Sequence, residues 1–186
     1  INLAESLLSK ALAAQPSGLN FDQSTFALVS SSTSCDSVAV SYGTMPTSTS
    51  SNFTTDGSYK VCVKLTDNAN NTPAYGNTDS IQLKRNSPIF ASVALANDAA
   101  DTYITASERL TSLPLVGNLS ASLYDSAQYY LVASNFTCNN SLPYGALPKS
   151  NSTDFGGDGI YKVCVKLTDL AGNPPVFGSS GTFELK

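Results

Sequence analysis

Four cysteines and one acidic stretch are the residues whose types and spacing could do chemistry in this 186-residue chain. Cys35 and Cys62 stand 27 residues apart, Cys138 and Cys164 stand 26 apart. Thiols at such distances pair as disulfides or stay buried and reduced; a zinc site needs closer spacing and more soft ligands. The acidic stretch, Asn97–Glu108, reads NDAADTYITASE. Set on a twelve-residue calcium loop, Asn97 falls at the first position, Asp101 at the fifth and Glu108 at the last, with Asp98 a further oxygen donor. Ala99 and Thr102 break that pattern, where an oxygen ligand and a glycine are expected. The competing reading is a polar turn in which Glu108 caps backbone amides. Calcium is thus the one cofactor the residues offer.

Much other chemistry is excluded by composition. The chain has no His and no Trp, so it holds no Ser-His-Asp triad, no Cys-His pair and no His-bearing zinc site. Fourteen acids are present, but none clusters with aromatic residues as a glycosidase pair would. The expectation is a protein that is not an enzyme. Ten basic residues without a cluster, under a net charge of −4, argue against nucleic acid and anionic membrane as partners. No apolar run nears the roughly 18 residues that span a bilayer. At 41% hydrophobic and 13% charged, the chain is too apolar to be disordered. It opens on Ile1, not Met, which is read as a piece of a longer protein. Abundant Ser, Thr and Asn with an even number of cysteines point to an extracellular, oxidising setting.

The elements that position these residues emerge from an internal repeat. Asp56–Asn71 (DGSYKVCVKLTDNANN) matches Asp158–Asn173 (DGIYKVCVKLTDLAGN) at all but three positions. Upstream, Ile1–Cys35 aligns without a gap on Ile104–Cys138. Two units follow, residues 1–85 and 86–186, each with one upstream and one downstream cysteine. Of the three possible connectivities, only Cys35–Cys62 with Cys138–Cys164 repeats identically within each unit. Unit two opens with Pro88–Leu95 (PIFASVAL), a strand for which unit one has no counterpart.

The strongest strand is Tyr59–Leu65, repeated as Tyr161–Leu167. Strict alternation puts Tyr59, Val61, Val63 and Leu65 on a core face and Cys62 outward between Lys60 and Lys64, which places the disulfides at the surface. Further strands are expected at Phe26–Ser30 with Tyr129–Ala133, Ser80–Lys84 with Thr182–Lys186, and Phe90–Leu95. Ser37–Tyr42 and Leu113–Leu123 are weaker candidates. Leu3, Leu7, Leu8 and Leu12 fit helical spacing over Leu3–Ala14, and Ser107–Leu113 allows a shorter helix that Pro114 stops. Short strands with frequent turns in units of about 100 residues indicate an all-β protein of β-sandwiches.

The run D-G-x-Y-x-V-C-V-x-L-T-D-x-A-G-N resembles the late strands of bacterial immunoglobulin-like repeats from large secreted surface proteins and adhesins. Asp101–Glu108 (DTYITASE) and Ile1–Glu5 (INLAE) resemble a further segment of those repeats. The resemblance implies two tandem immunoglobulin-like β-sandwiches, the first lacking its N-terminal strand, and calcium near domain junctions. One departure is visible. In antibody domains Tyr and Cys stand two apart and share the core face; here Tyr59 and Cys62 stand three apart.

The remaining motifs divide between structure and recognition. Asp67–Asn71 and Asp169–Asn173 read as tight turns, with Asn70 or Gly172 at positive φ. Sequons occur at Asn52, Asn70, Asn118, Asn135, Asn139 and Asn151; in a eukaryotic secreted protein they would mark surface loops, while in a bacterial chain so rich in Asn, Ser and Thr they are what chance supplies. The loops Asp36–Thr55 and Asn139–Gly157 differ almost completely between units, and loops carry binding on such scaffolds. The reading is therefore a pair of stalk repeats of a bacterial surface protein, stacked by a short linker and projecting a distal domain. Its partners are adjacent repeats of the same polypeptide. The alternatives are a module gripping a glycan or protein through variable loops, and an accessory module of a secreted hydrolase.

Overall fold

The computed structural model describes residues 1–17 and 20–186; Gly18, Leu19 and the side chain of Leu3 lie outside the described residues. Strand accounts for 39% of the chain and helix for 5%, so the protein is all-β. It divides into two compact units, Ile1–Asn86 and Ser87–Lys186.

Unit one begins with a single helical turn, α1 (Leu3–Ser6). The Asn2 side chain accepts from the Glu5 amide while the Glu5 carboxylate accepts from the Asn2 amide, a reciprocal cap that fixes the start. The helix expected to run to Ala14 stops there. Past Lys10 the backbone joins a bridge instead, with Ala11 opposite Thr47 and the Ser48 amide donating to Lys10. Leu7 is 75% exposed, and of Leu7, Leu8 and Leu12 only Leu12 packs on the core. The leucine stripe is therefore not a buried helical face.

One sheet carries the unit: β1 (Gln23–Ser30), β2 (Gly57–Thr66), β3 (Ala74–Asn77) and β4 (Ile81–Leu83). β1 pairs antiparallel along the length of β2, from Gln23 opposite Thr66 to Ser30 opposite Tyr59. β3 and β4 share the other edge of β2. Alternation then sends Tyr59 and Val61 of β2, with Phe26 and Leu28 of β1, into a core closed by Phe53 and Leu83. Ser37–Tyr42, a weak strand candidate, forms turns instead.

Unit two repeats this sheet and adds a second layer. Its strands are β5 (Ile89–Leu95), β6 (Tyr103–Ile104), β7 (Val116–Ser122), β8 (Ser126–Ala133), β9 (Gly159–Thr168), β10 (Val176–Ser179) and β11 (Phe183–Leu185). β8 to β11 keep the registers of β1 to β4: Tyr130 lies opposite Cys164 as Ala27 lies opposite Cys62, and Gly178 opposite Val165 as Gly76 opposite Val63. β6 runs parallel to β11. β5 and β7 pair with each other, and Val93 and Val116 from them join Leu131, Val163, Val165 and Phe183 in one core. Two packed layers around that core, the β5–β7 pair and the sheet of β6 with β8 to β11, make an immunoglobulin-like β-sandwich.

Unit one retains the contact made by β6: the Lys84 amide donates to the Ile1 carbonyl at 2.9 Å, as the Lys186 amide does to Ile104 at 3.0 Å. Among its described residues no strand stands in the place of β5. Residues 13–19, which align with β7 and include Pro16, form no strand over their described part. The difference appears in burial. Val165 and Leu167 are 0% exposed, whereas Val63 and Leu65 at the same places on β2 are only half-buried.

Candidate functional site

The cysteines pair as Cys35–Cys62 and Cys138–Cys164, with Cα separations of 5.4 and 5.5 Å. Their surroundings correct one expectation. Cys62 and Cys164 do lie on the strand face opposite the main core, yet both are 0% exposed; they are not surface groups among lysines. In unit one the chain after Cys35 folds back over that face. Cys62, Cys35 and Ala27 form a satellite cluster with Val29, Val40 and Tyr42. Alternation identifies the face but cannot register a covering loop that lies outside the strand. The Tyr42 hydroxyl donates to the Cys35 carbonyl and ties the loop down. Burial, with Tyr75 and Asp36 nearby, pushes its phenol above the ordinary value. In unit two Tyr144 takes the corresponding place, its ring 5.8 Å from Phe177 with the Lys166 ammonium 5.9 Å over it. The Cys35–Cys62 bond is thus a structural staple packed against Ala27, Val29, Val40 and Tyr42, and Cys164 is equally sealed.

A second repeated device was not anticipated from the sequence. The Tyr59 hydroxyl donates to the Thr55 carbonyl at 2.7 Å, and the Tyr161 hydroxyl to the Gly157 carbonyl at 2.7 Å. Both bonds reach four residues back across the entry to the central strand, the tyrosine corner of immunoglobulin-like sandwiches. Phe53 meets the Tyr59 ring edge-on at 4.9 Å, and Phe155 meets Tyr161 likewise at 5.0 Å. The signal was present in D-G-x-Y, read there only as a turn before a strand.

The candidate calcium ligands do not converge. The Asn97 amide nitrogen donates to the Pro114 carbonyl at 2.8 Å. Asp98 accepts from the Thr111 hydroxyl. Asp101 accepts from the Tyr103 amide at 3.0 Å. Glu108 accepts from the amide and hydroxyl of Thr105, both at 2.7 Å. Asp101 and Glu108 each hold a local turn, and Asp98 ties the turn at Asn97–Ala99 to Thr111. Among the described residues no group of three or more His, Cys, Asp or Glu is placed to hold a metal ion. The later turns are likewise structural. Asp67 accepts from the Asn71 amide at 3.1 Å and Asp169 from the Asn173 amide at 3.1 Å, with Asn70 at φ 60° and Gly172 at φ 77°. The Asn71 side chain and amides of the turn hold the Asp67 carboxyl below its ordinary value.

One ion pair fixes the end of unit one. Asp56 accepts from the Arg85 side chain at 3.0 Å and from the Arg85 amide at 2.9 Å. Burial opposes ionisation of Asp56, but the hydrogen bonds and charge of Arg85 outweigh it and the carboxyl is held low.

The loops that follow the first cysteine of each unit bound shallow clefts against the outer strand. In unit one the cleft is about 650 Å³, with Val29, Val40, Thr33, Asn52 and Asp56 in its wall. In unit two the corresponding cleft is about 350 Å³, with Phe136, Leu142 and Pro143 in its wall. The two loops therefore present different surfaces on one frame. All six sequon asparagines, Asn52, Asn70, Asn118, Asn135, Asn139 and Asn151, are exposed.

No family model matches the sequence, and no curated protein matches it. Among solved structures the chain is similar to Drosophila N-cadherin EC1-4, with 11% identity and a TM-score of 0.25. The match covers 88% of this chain and 40% of that one. No helix among the described residues is long and apolar enough to cross a membrane.

Proposed function

We propose that this chain is a pair of non-catalytic spacer repeats from a secreted or surface-displayed protein, of the kind found in bacterial adhesin stalks, and that it separates a distal domain from its anchor. The observation that carries this reading is the nature of what the two units share. The repeated side chains are the disulfide, the tyrosine corner, the turn aspartates and the alternating core of the central strand. All of them hold the frame. The loops a ligand would meet are the parts that differ. Disulfides persist in oxidising compartments and reinforce small domains there, which fits a chain exposed outside the cell.

The test is a binding screen of the intact chain against a glycan array and against extracellular-matrix proteins, run beside a mechanical measurement. A spacer binds neither class above background and resists extension. A specific glycan or protein ligand whose binding maps to residues 36–55 or 139–157 would replace the spacer reading with that of a recognition module.

A further inference from the structure

β8 carries three backbone groups that the fold leaves unused. The Tyr129 amide donates to the Gly145 carbonyl and the Gly145 amide to the Tyr129 carbonyl, both at 2.9 Å, so the backbone groups of Tyr129 point away from β9. Alternation along an antiparallel strand turns the N–H and C=O of Leu131 and the N–H of Ala133 the same way. None of these three has a hydrogen-bond partner among the described residues, while the Ala133 carbonyl accepts from the Phe136 amide at 3.1 Å. Leu131 is only 2% exposed. Buried backbone groups are paired in more than about nine cases in ten, so these await a partner from outside the chain. The loop after Cys138 does not supply one. Continuing the register of Tyr129 and Gly145 would set Pro143 opposite Leu131, and proline has no N–H to donate. The loop turns there instead, with the Tyr144 amide donating to the Leu142 carbonyl at 3.0 Å. What remains along the edge is a groove made of two clefts, of about 610 and 350 Å³, that share Tyr130, Leu131, Pro143 and Asp154.

We propose that this groove takes an extended segment of another polypeptide as a strand added to β8. One residue of the segment, opposite Leu131, donates to its carbonyl and accepts from its amide. A residue two places along accepts from the Ala133 amide. Donor and acceptor alternating at strand spacing are what a polypeptide backbone offers, and the groove's side chains add specificity. The exposed Phe136 ring, Leu142 and Pro143 line the Ala133 end, so the segment is apolar there. The exposed Asp154 lines both clefts. Its carboxylate accepts from the Ser152 hydroxyl at 3.1 Å and has no cation beside it among the described residues, so the segment carries a basic side chain. Unit one repeats the open edge at Leu28, beyond the bridge of Phe26 and Gly43. It has Ala27 and Thr33 where unit two has Tyr130 and Phe136, and should hold the same segment more weakly. The inference goes beyond the spacer reading and does not rest on it: the bonds fall on β8, outside the variable loops, and a spacer with one such seat still separates what it joins.

The probe is a capped synthetic peptide of alternating apolar and polar residues, acetyl-KVTVKV-amide, titrated against the full 186-residue chain. Amide exchange followed by NMR should slow at Leu131 and Ala133 and stay unchanged at Tyr129, whose amide is already bonded. The same peptide N-methylated at its four central amides keeps every side chain and leaves the protein untouched, and it should bind about tenfold or more weakly. Asp154→Asn in the chain should weaken the parent peptide by about threefold, a margin that shrinks with salt. Absence of binding at about 1 mM peptide, equal binding by the methylated peptide, or slowed exchange that avoids β8 would overturn the proposal while leaving the spacer reading in place. Self-association of the chain that slows Leu131 and Ala133 without peptide would also overturn it, because the occupant would then be a second copy.

Discussion

Replacing Cys35 and Cys62 together by Ala should cost unit one about 3.5 kcal/mol, and the same change at Cys138 and Cys164 should cost unit two nearly the same. The figure follows from loop closure. A bond spanning 27 or 26 residues removes about 12 cal/mol/K of entropy from the unfolded chain, or about 3.5 kcal/mol at room temperature. Ala is the right replacement because a serine hydroxyl would enter the apolar cluster of Ala27, Val29 and Val40. For a domain near 100 residues each kcal/mol moves the melting midpoint by about 4–8 °C, so each pair should lower its unit by about 14–28 °C. Calorimetry of the two double variants would resolve this. The identity of the unit that moves can be checked by hydrogen exchange, in 57–66 for the first pair and in 159–168 for the second. The loss should be a larger share of unit one's stability, because Val63 and Leu65 are only half-buried where Val165 and Leu167 of unit two are sealed. A midpoint lowered by less than about 5 °C in either variant would refute the argument. It would mean that the covering loop and Tyr42 hold the sheet without the bond.

Four further outcomes are expected. Gly178→Ala should destabilise unit two by about 1–3 kcal/mol through overlap with Phe90, while Gly76→Ala, meeting open space, should be neutral or slightly stabilising; chemical denaturation of both variants separates them, and equal losses would contradict the packing. Tyr161→Phe removes the hydroxyl bond to Gly157 and should cost about 1 kcal/mol, read from the same curves. Unit one should weaken in acid: Asp56 has a folded pKa held below its ordinary value, so its contribution is present above the unfolded value near 3.9 and is lost as pH falls through the lower folded value. Asp56→Asn should flatten that part of the stability profile, and an unchanged profile would dismiss the Arg85 contact as a stabilising one. Because the side chains of Asn97, Asp98, Asp101 and Glu108 are each engaged with a different partner residue, melting with calcium and melting with a chelator should coincide; a calcium-dependent rise would place the ion there after all.

The sequence was most legible where physics is local. The alternation of Tyr59–Leu65, the turn chemistry of Asp67–Asn71 and the matched cysteine spacing each sit within a few residues or a repeated interval, and the structure contains the strand, turn and pairing they imply. It was least legible where distant segments decide. β3 and β10 went unforeseen because a glycine at the centre of a four-residue segment looks like a loop, and the reason for it, Phe90, lies more than eighty residues from Gly178. The leucines of Leu3–Ala14 carry a helical period, but the backbone hydrogen bonds offered by Pro46 and Ser48 capture the chain first. The burial of Cys62 depends on a loop whose residues have no periodic signal. The acidic stretch shows a different limit: a run of oxygens says nothing of whether they face one point, and here Thr105, Thr111 and Tyr103 each claim one of them while the Asn97 amide nitrogen donates to the Pro114 carbonyl.

Single-molecule extension of the intact chain, with and without reductant, tests the central claim most directly: two independently folded units, each stapled within itself, bearing load as a spacer. Each bond hides a loop of 27 or 26 residues, which is about 90 Å of extended chain. Two separate unfolding steps are predicted, each about 90 Å longer once the disulfides are reduced. A single cooperative step for the whole chain, or step lengths that reductant leaves unchanged, would contradict it.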